Sequence, residues 1–142
     1  ILSSEPDFKK GNYKEALRIA FHKIDDRVSK EDYAMDTGTT ACVILMTPTH
    51  FFCSNAGDSR GVLMRANKAE ELSHDHKPQN PGETARINAA THSVEDDRVD
   101  GNLALSRAFG DFQYKDQAKK SVEQQAVTCD PDIIEMKRVK DD

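Results

Sequence analysis

After Gly11-Asn12, apolar side chains recur at Tyr13, Leu17, Ala20, Ile24 and Val28, in steps of four, three, four and four. That spacing predicts one face of an amphipathic helix over residues 12–30, with Asn12 as N-cap and Lys14, Glu15, Lys23 and Asp26 toward water. A packing helix accounts for the whole pattern, and nothing in it asks for chemistry.

From Thr39 the period changes. Thr39 to Met46 is β-branched and apolar on both faces, as expected of a buried strand. Thr47-Pro48-Thr49-His50 breaks it, and Phe51 to Asn55 reads as the second arm of a hairpin. Turns at Gly57–Arg60 and Asn67-Lys68 then set off Gly61–Arg65 and Glu70–Ser73, so residues 39–73 are expected to form a four-stranded antiparallel meander. Pro78 and Pro81 end the sheet, and Pro81 opens a short helix over Gly82–Ala90 with Glu83 in its first turn. Val94–Val99 is a predicted strand, stopped by Asp100-Gly101-Asn102 and partnered by Leu103–Leu105. Residues 113–130 are polar and weakly patterned, which predicts a surface excursion. A last strand is expected over 132–138, centred on Ile133 and Ile134.

Composition narrows the class. The 142 residues are 37% hydrophobic and 32% charged, the balance of a soluble globular domain. A net charge of −5, with basic residues only in scattered pairs, argues against a nucleic-acid surface, which needs clustered cations. No apolar run approaches the roughly 20 residues that cross a bilayer. The chain opens on Ile1-Leu2-Ser3-Ser4 rather than Met and carries no signal-peptide pattern, so it reads as the interior of a longer polypeptide. Cys42, Cys53 and Cys129 form no CxxC pair, and two of them sit in apolar runs. A reducing compartment, cytoplasmic or nuclear, is the expectation.

Candidate chemistry is sparse. Asn55-Ala56-Gly57-Asp58-Ser59-Arg60-Gly61 places a carboxylate at the end of an apolar strand, between glycines that permit close backbone approach. An acid fixed there is a hard oxygen ligand of the kind Mg²⁺ and Mn²⁺ prefer, although such turns more often only bond their own backbone. In Ser106-Arg107-Ala108-Phe109-Gly110-Asp111, one helical turn would pair Arg107 with Asp111, a structural ion pair. His74 and His76 share a strand face, and with Cys53 they form the sequence's zinc candidate, short of further ligands. There is no GxSxG, no P-loop and no cysteine nucleophile signature.

Taken in order, Thr37-Gly38-Thr39-Thr40-Ala41, Asn55 to Gly61, Asp75-His76-Lys77-Pro78, Arg86-Ile87, Arg98-Val99 and Gly101 to Asp111 resemble the central half of the type 2C, metal-dependent serine/threonine protein phosphatases. The likeness is clear from Gly38 to Tyr114 and looser through Asp130-Pro131-Asp132. It implies an α+β fold, here an incomplete α-β-β-α sandwich of antiparallel sheets flanked by helices. It also implies hydrolysis of phosphoserine and phosphothreonine in a protein substrate by water held on Mn²⁺ or Mg²⁺ ions. On that resemblance Asp58 is an outlying metal ligand. Residues 76–99, with His76 and Arg98, correspond to a substrate-handling flap.

The family's Asp-Gly-His-Gly-Gly and Asp-Gly-x-Trp-Asp motifs do not occur in this sequence, which has no Trp at all. Its flap Ala-Gly-Gly is replaced by Ala90-Thr91-His92. No catalytic residue of the family therefore falls within the 142 residues, and the chain alone is expected to be inactive. The alternative is a catalytically dead pseudophosphatase or protein-binding module. A sandwich lacking strands would also leave unpaired edges, so self-association is expected.

Overall fold

The computed structural model describes residues 1–140 and 142. A short helix α1 (Pro6–Lys9) leads into α2 (Tyr13–Val28), which occupies the stretch the periodicity predicts. Its buried face is Ala16, Leu17, Ala20, Phe21 and Asp25. Then come β1 (Gly38–Thr39), β2 (Ala41–Met46), β3 (His50–Ala56), β4 (Val62–Arg65) and β5 (Lys68–Glu71). After α3 (Pro81–Ala89) follow β6 (Val94–Glu95), β7 (Arg98–Val99), β8 (Phe109–Gly110) and β9 (Asp132–Lys137).

The expected meander is not one sheet. β3 pairs antiparallel with β2 on one side and with β9 on the other, Cys53 standing opposite both Ile44 and Ile134. Both edges of β3 are thereby taken, and β4 cannot join it. Gly57 (φ +116°) turns the chain away, and β4–β5 forms a separate hairpin. The predicted strand over 94–99 is itself a hairpin, β6–β7, turned by Asp96 and Asp97 at φ +49° and +61°. Leu103 keeps only an isolated bridge to Val99.

Two expectations about burial also change. Alternate faces of β3 meet different neighbours: Phe52 and Ala56 pack toward α2 with Tyr13 and Phe21, while Cys53 packs against Gly61. β2 is an outer strand of this sheet, so Val43, Ile44 and Met46 are exposed rather than buried. Residues 113–130 are not a surface excursion throughout. Gln125 to Cys129 run through the interior, and Ala126 and Val127 join Ile87, Ala90, Val99, Ala108 and Tyr114 in the larger core cluster.

Residues 107–111 do not form a helical turn. Gly110 (φ +75°) and Asp111 (φ +52°) are left-handed, and Gly110 lies so close to β1 that a Cβ would sit 2.2 Å from the Thr37 carbonyl oxygen. Only glycine fits there. Arg107 and Asp111 therefore point apart, and the expected ion pair between them is absent.

Candidate functional site

The Asp58 turn is built by its neighbours' backbone. Asn55, buried at the end of β3, donates from Nδ2 to the carbonyl oxygens of Gly57 and His74, at 3.0 Å each. The Gly57 N–H donates to His76 Nδ1 at 3.1 Å, and the His76 N–H returns to the Gly57 carbonyl at 3.0 Å. The Gly61 N–H is taken by Ser73 Oγ. Turn and following loop are thus stitched together, and the Asp58 carboxylate is left half-buried at the surface.

His76 is placed differently from the flap role expected of it. The ring is 3% exposed, with both nitrogens engaged. Because Nδ1 accepts from Gly57, the proton resides on Nε2 and is donated to Asp132 Oδ2 at 3.1 Å. It therefore clamps the Asp58 turn to the start of β9 and offers no free atom to a substrate. The same geometry removes the zinc candidate, since His76 is committed and His74 is exposed beside Glu71. Cys53 has its nearest polar partner in Cys42, whose sulfur lies 3.8 Å away.

Around the turn the charges pair. Arg60 is bidentate to Asp75, at 2.7 and 3.0 Å, and holds that carboxyl below its ordinary value. Lys77 Nζ donates to Asp58 Oδ2. Among the described residues, the cation paired with Asp58 is thus a neighbouring ammonium group. Asp58 can supply one oxygen to a metal, in exchange for Lys77. A two-ion centre needs several carboxylates converging, and among the described residues no cluster of three or more ligand side chains includes Asp58. Arg98, on β7, donates to the Asn102 carbonyl at 2.7 Å and is otherwise exposed, with no bond to the Asp58 turn among the described residues.

Beneath the site lies an ionic hub that sequence reasoning missed. Glu83, 6% exposed in the first turn of α3, accepts from Arg107 (2.8 Å), Arg86 (2.7 Å) and the Ser106 hydroxyl (2.5 Å). Arg107 also donates to Asp132 at 2.9 Å, and Asp132 is the carboxylate that receives His76. Burial alone would raise the Glu83 carboxyl, but the two guanidinium groups more than offset it and hold it at about 2. Asp132 is driven down as well, first by the His76 hydrogen bond, against burial, and then by Arg107. The available signal was the i, i+3 spacing of Glu83 and Arg86. No local pattern pointed to Arg107 as their partner.

The whole chain, residues 1–142, matches the family model for protein phosphatase 2C. The chain belongs to the protein phosphatase 2C family. It is 48% identical over 139 residues to protein phosphatase 2C homolog 2 of Schizosaccharomyces pombe, covering 94% of this chain and 37% of that protein. It is 47% identical over 142 residues to protein phosphatase 2C homolog 2 of Saccharomyces cerevisiae, covering 95% of this chain and 30% of that one. The chain thus spans about a third of the length of these relatives. The crystal structure of serine-threonine phosphatase 2C from Toxoplasma gondii superposes with a TM-score of 0.76 at 18% identity, over 98% of this chain and 56% of that chain. That likeness shows the α+β fold of helices and small antiparallel sheets.

Proposed function

We propose that this chain is a scaffold portion of a metal-dependent protein serine/threonine phosphatase, contributing the flap and one outlying metal ligand, Asp58. The family membership supports the reaction class. The observation that carries the role of this chain is the Asp58 turn, fixed by Asn55, Gly57 and His76 and presenting its carboxylate outward. The complete domain would use Mn²⁺ or Mg²⁺, which lowers the pKa of bound water and polarises the phosphoryl group. Within this chain, Asp58 would take an ion's open coordination position once Lys77 releases it. Arg98, exposed on its hairpin, would meet the phosphorylated protein.

Phosphate release from a phosphothreonine peptide in Mn²⁺ tests the division of labour. The 142 residues alone should show no turnover, because a single carboxylate cannot hold the metal-activated water; sustained Mn²⁺-dependent turnover would overturn the reading. In the complete domain, Asp58→Asn should weaken Mn²⁺ binding measured by electron paramagnetic resonance, with the far-ultraviolet circular dichroism unchanged. An unchanged Mn²⁺ titration would remove Asp58 from the metal site.

The exposed apolar side chains of β2 and β4, Ile44, Met46, Val62 and Met64, support a second property, self-association of the isolated chain. Light scattering that stays monomeric at high concentration would contradict it. The three free thiols support a reducing, cytoplasmic or nuclear setting.

A further inference from the structure

Three segments meet at a second cluster of ligand-type side chains. His22 lies on α2, Glu123 on the single 3₁₀ turn Val122–Gln124, and Asp130 just before β9. One ligand atom from each lies within 4.8 Å of the other two, and His22 Nε2 is already 2.8 Å from Asp130 Oδ1. No pattern in the sequence joins them, since His22 stands about a hundred residues before the other two.

We propose that His22, Glu123 and Asp130 form a surface binding site for a divalent transition-metal ion, Zn²⁺ foremost. This site is independent of the phosphatase reading and of Asp58. One imidazole nitrogen with two carboxylates is a borderline donor set that suits zinc better than magnesium or calcium. Zinc takes such ligands at about 2.0–2.2 Å, which sets neighbouring donor atoms about 3–3.5 Å apart. The His22–Asp130 pair, at 2.8 Å, has to open by about 0.5 Å, and Glu123, whose ligand atom lies within 4.8 Å, has to close by up to about 1.5 Å, within the reach of an exposed side chain. The remaining coordination positions face solvent and are left to water.

The scaffold is firm where the ligands are attached. Thr128 Oγ1 donates to the Val122 carbonyl and accepts the Asp130 N–H, tying the Glu123 turn to Asp130. A capping box between Ser121 and Gln124 closes that turn, and Arg107 donates to the Asp130 carbonyl. Ligands carried on elements fixed in this way lose little freedom on binding a metal. Their balance with a neutral imidazole is two negative charges against one nearby positive charge, Arg18, whose guanidinium is 3.6 Å from Asp130 Oδ2. His22 binds as the tautomer protonated at Nδ1, giving up its hydrogen bond to Asp130 when both become ligands of the same ion.

Isothermal calorimetry with Zn²⁺, and visible spectra of the Co²⁺ form, test the site on the metal-free protein. One equivalent should bind, with Co²⁺ giving ligand-field bands. His22→Ala should lose affinity by about 100-fold or more, as ligand removal costs at least what loss of a supporting partner does. Glu123→Gln sits on an exposed turn and should weaken binding without touching the core, so it carries the test should His22→Ala fail to fold. Arg18→Ala should tighten binding about five-fold, by removing one opposing charge at surface dielectric. The affinity lost in His22→Ala should be the same in an Asp58→Asn background, which separates this site from the phosphatase centre. Absence of Zn²⁺ binding by the parent protein, or equal affinity in the parent, His22→Ala and Glu123→Gln proteins, would overturn the proposal.

Discussion

Glu83→Gln keeps the shape of a side chain that holds two guanidinium groups, yet removes the charge they were buried against. In the parent protein Glu83 receives hydrogen bonds from Arg86, Arg107 and Ser106, and both arginines are only 13% exposed. The carboxyl is displaced from 4.5 to about 2, and at 1.36 kcal/mol per unit this corresponds to about 3 kcal/mol of stabilisation at neutral pH. The value agrees with the 3–5 kcal/mol or so lost when one member of a buried ion pair is deleted. A depressed carboxyl stabilises the fold fully above its unfolded value and loses that contribution as pH falls through its folded value. The window therefore runs from about 4.5 down to about 2. Urea melts of the parent and Glu83→Gln proteins, followed by circular dichroism, should differ by about 3 kcal/mol at pH 7 and by about 1 kcal/mol at pH 3. A gap below about 1 kcal/mol at pH 7, or one that stays constant with pH, would refute the claim that charge, rather than packing, holds the hub together.

Three further outcomes are expected. Thr91 is a β-branched residue held at φ +65°, so Thr91→Gly should raise stability by about 1 kcal/mol in the same urea assay, and a loss of stability would show that the backbone there is unstrained. Ile87→Ala should cost about 2–5 kcal/mol, since Ile87 is fully buried in the larger core cluster, and a cost under about 1 kcal/mol would mean that α3 repacks freely. Iodoacetamide at pH 8, read by mass spectrometry of peptides, should label the partly exposed Cys42 before Cys53, whose thiol burial pushes up to about 12, and before the buried Cys129, likewise displaced upward by burial. Equal labelling rates for the three would contradict that order.

Local pattern carried the elements whose causes are local. The spacing of Tyr13, Leu17, Ala20, Ile24 and Val28 located α2 almost to the residue, because one buried face repeats every three or four positions. The β2–β3 hairpin was legible for the same reason, with Thr47 to His50 as its break. What failed depended on distant partners. Whether β3 would take β4 or β9 as its second neighbour is decided by Gly57 turning the chain and by Asp132–Lys137 returning some eighty residues later. Residues 125–129 lie in the stretch 113–130 that reads as polar and weakly patterned, yet they are buried, with the Gln125 and Thr128 side chains bonded to local backbone. Of the site, the Asp58 turn was visible because its glycines sit within one segment. The inward fixing of His76 was not, since Asp132 lies 56 positions away. The substitution of Thr91 for a flap glycine was visible too. The structure shows that the backbone at Thr91 is left-handed and loads the strain onto threonine.

The chain of contacts from Arg86 through Glu83, Arg107 and Asp132 to His76 joins α3, the stretch before β8, the start of β9 and the floor of the Asp58 turn. Segments bolted at one point cannot detach singly without stranding a charge, so α3 and β9 should open in native-state hydrogen exchange as one cooperative unit. The rim hairpin β6–β7, which meets the buried cluster through Val99 and the half-buried Val94 and carries none of those ionic bonds, is free to breathe ahead of it. On the proposed reading, a phosphatase assembled on this frame would thus have a quiet floor under its metal ligand and a restless edge at its flap.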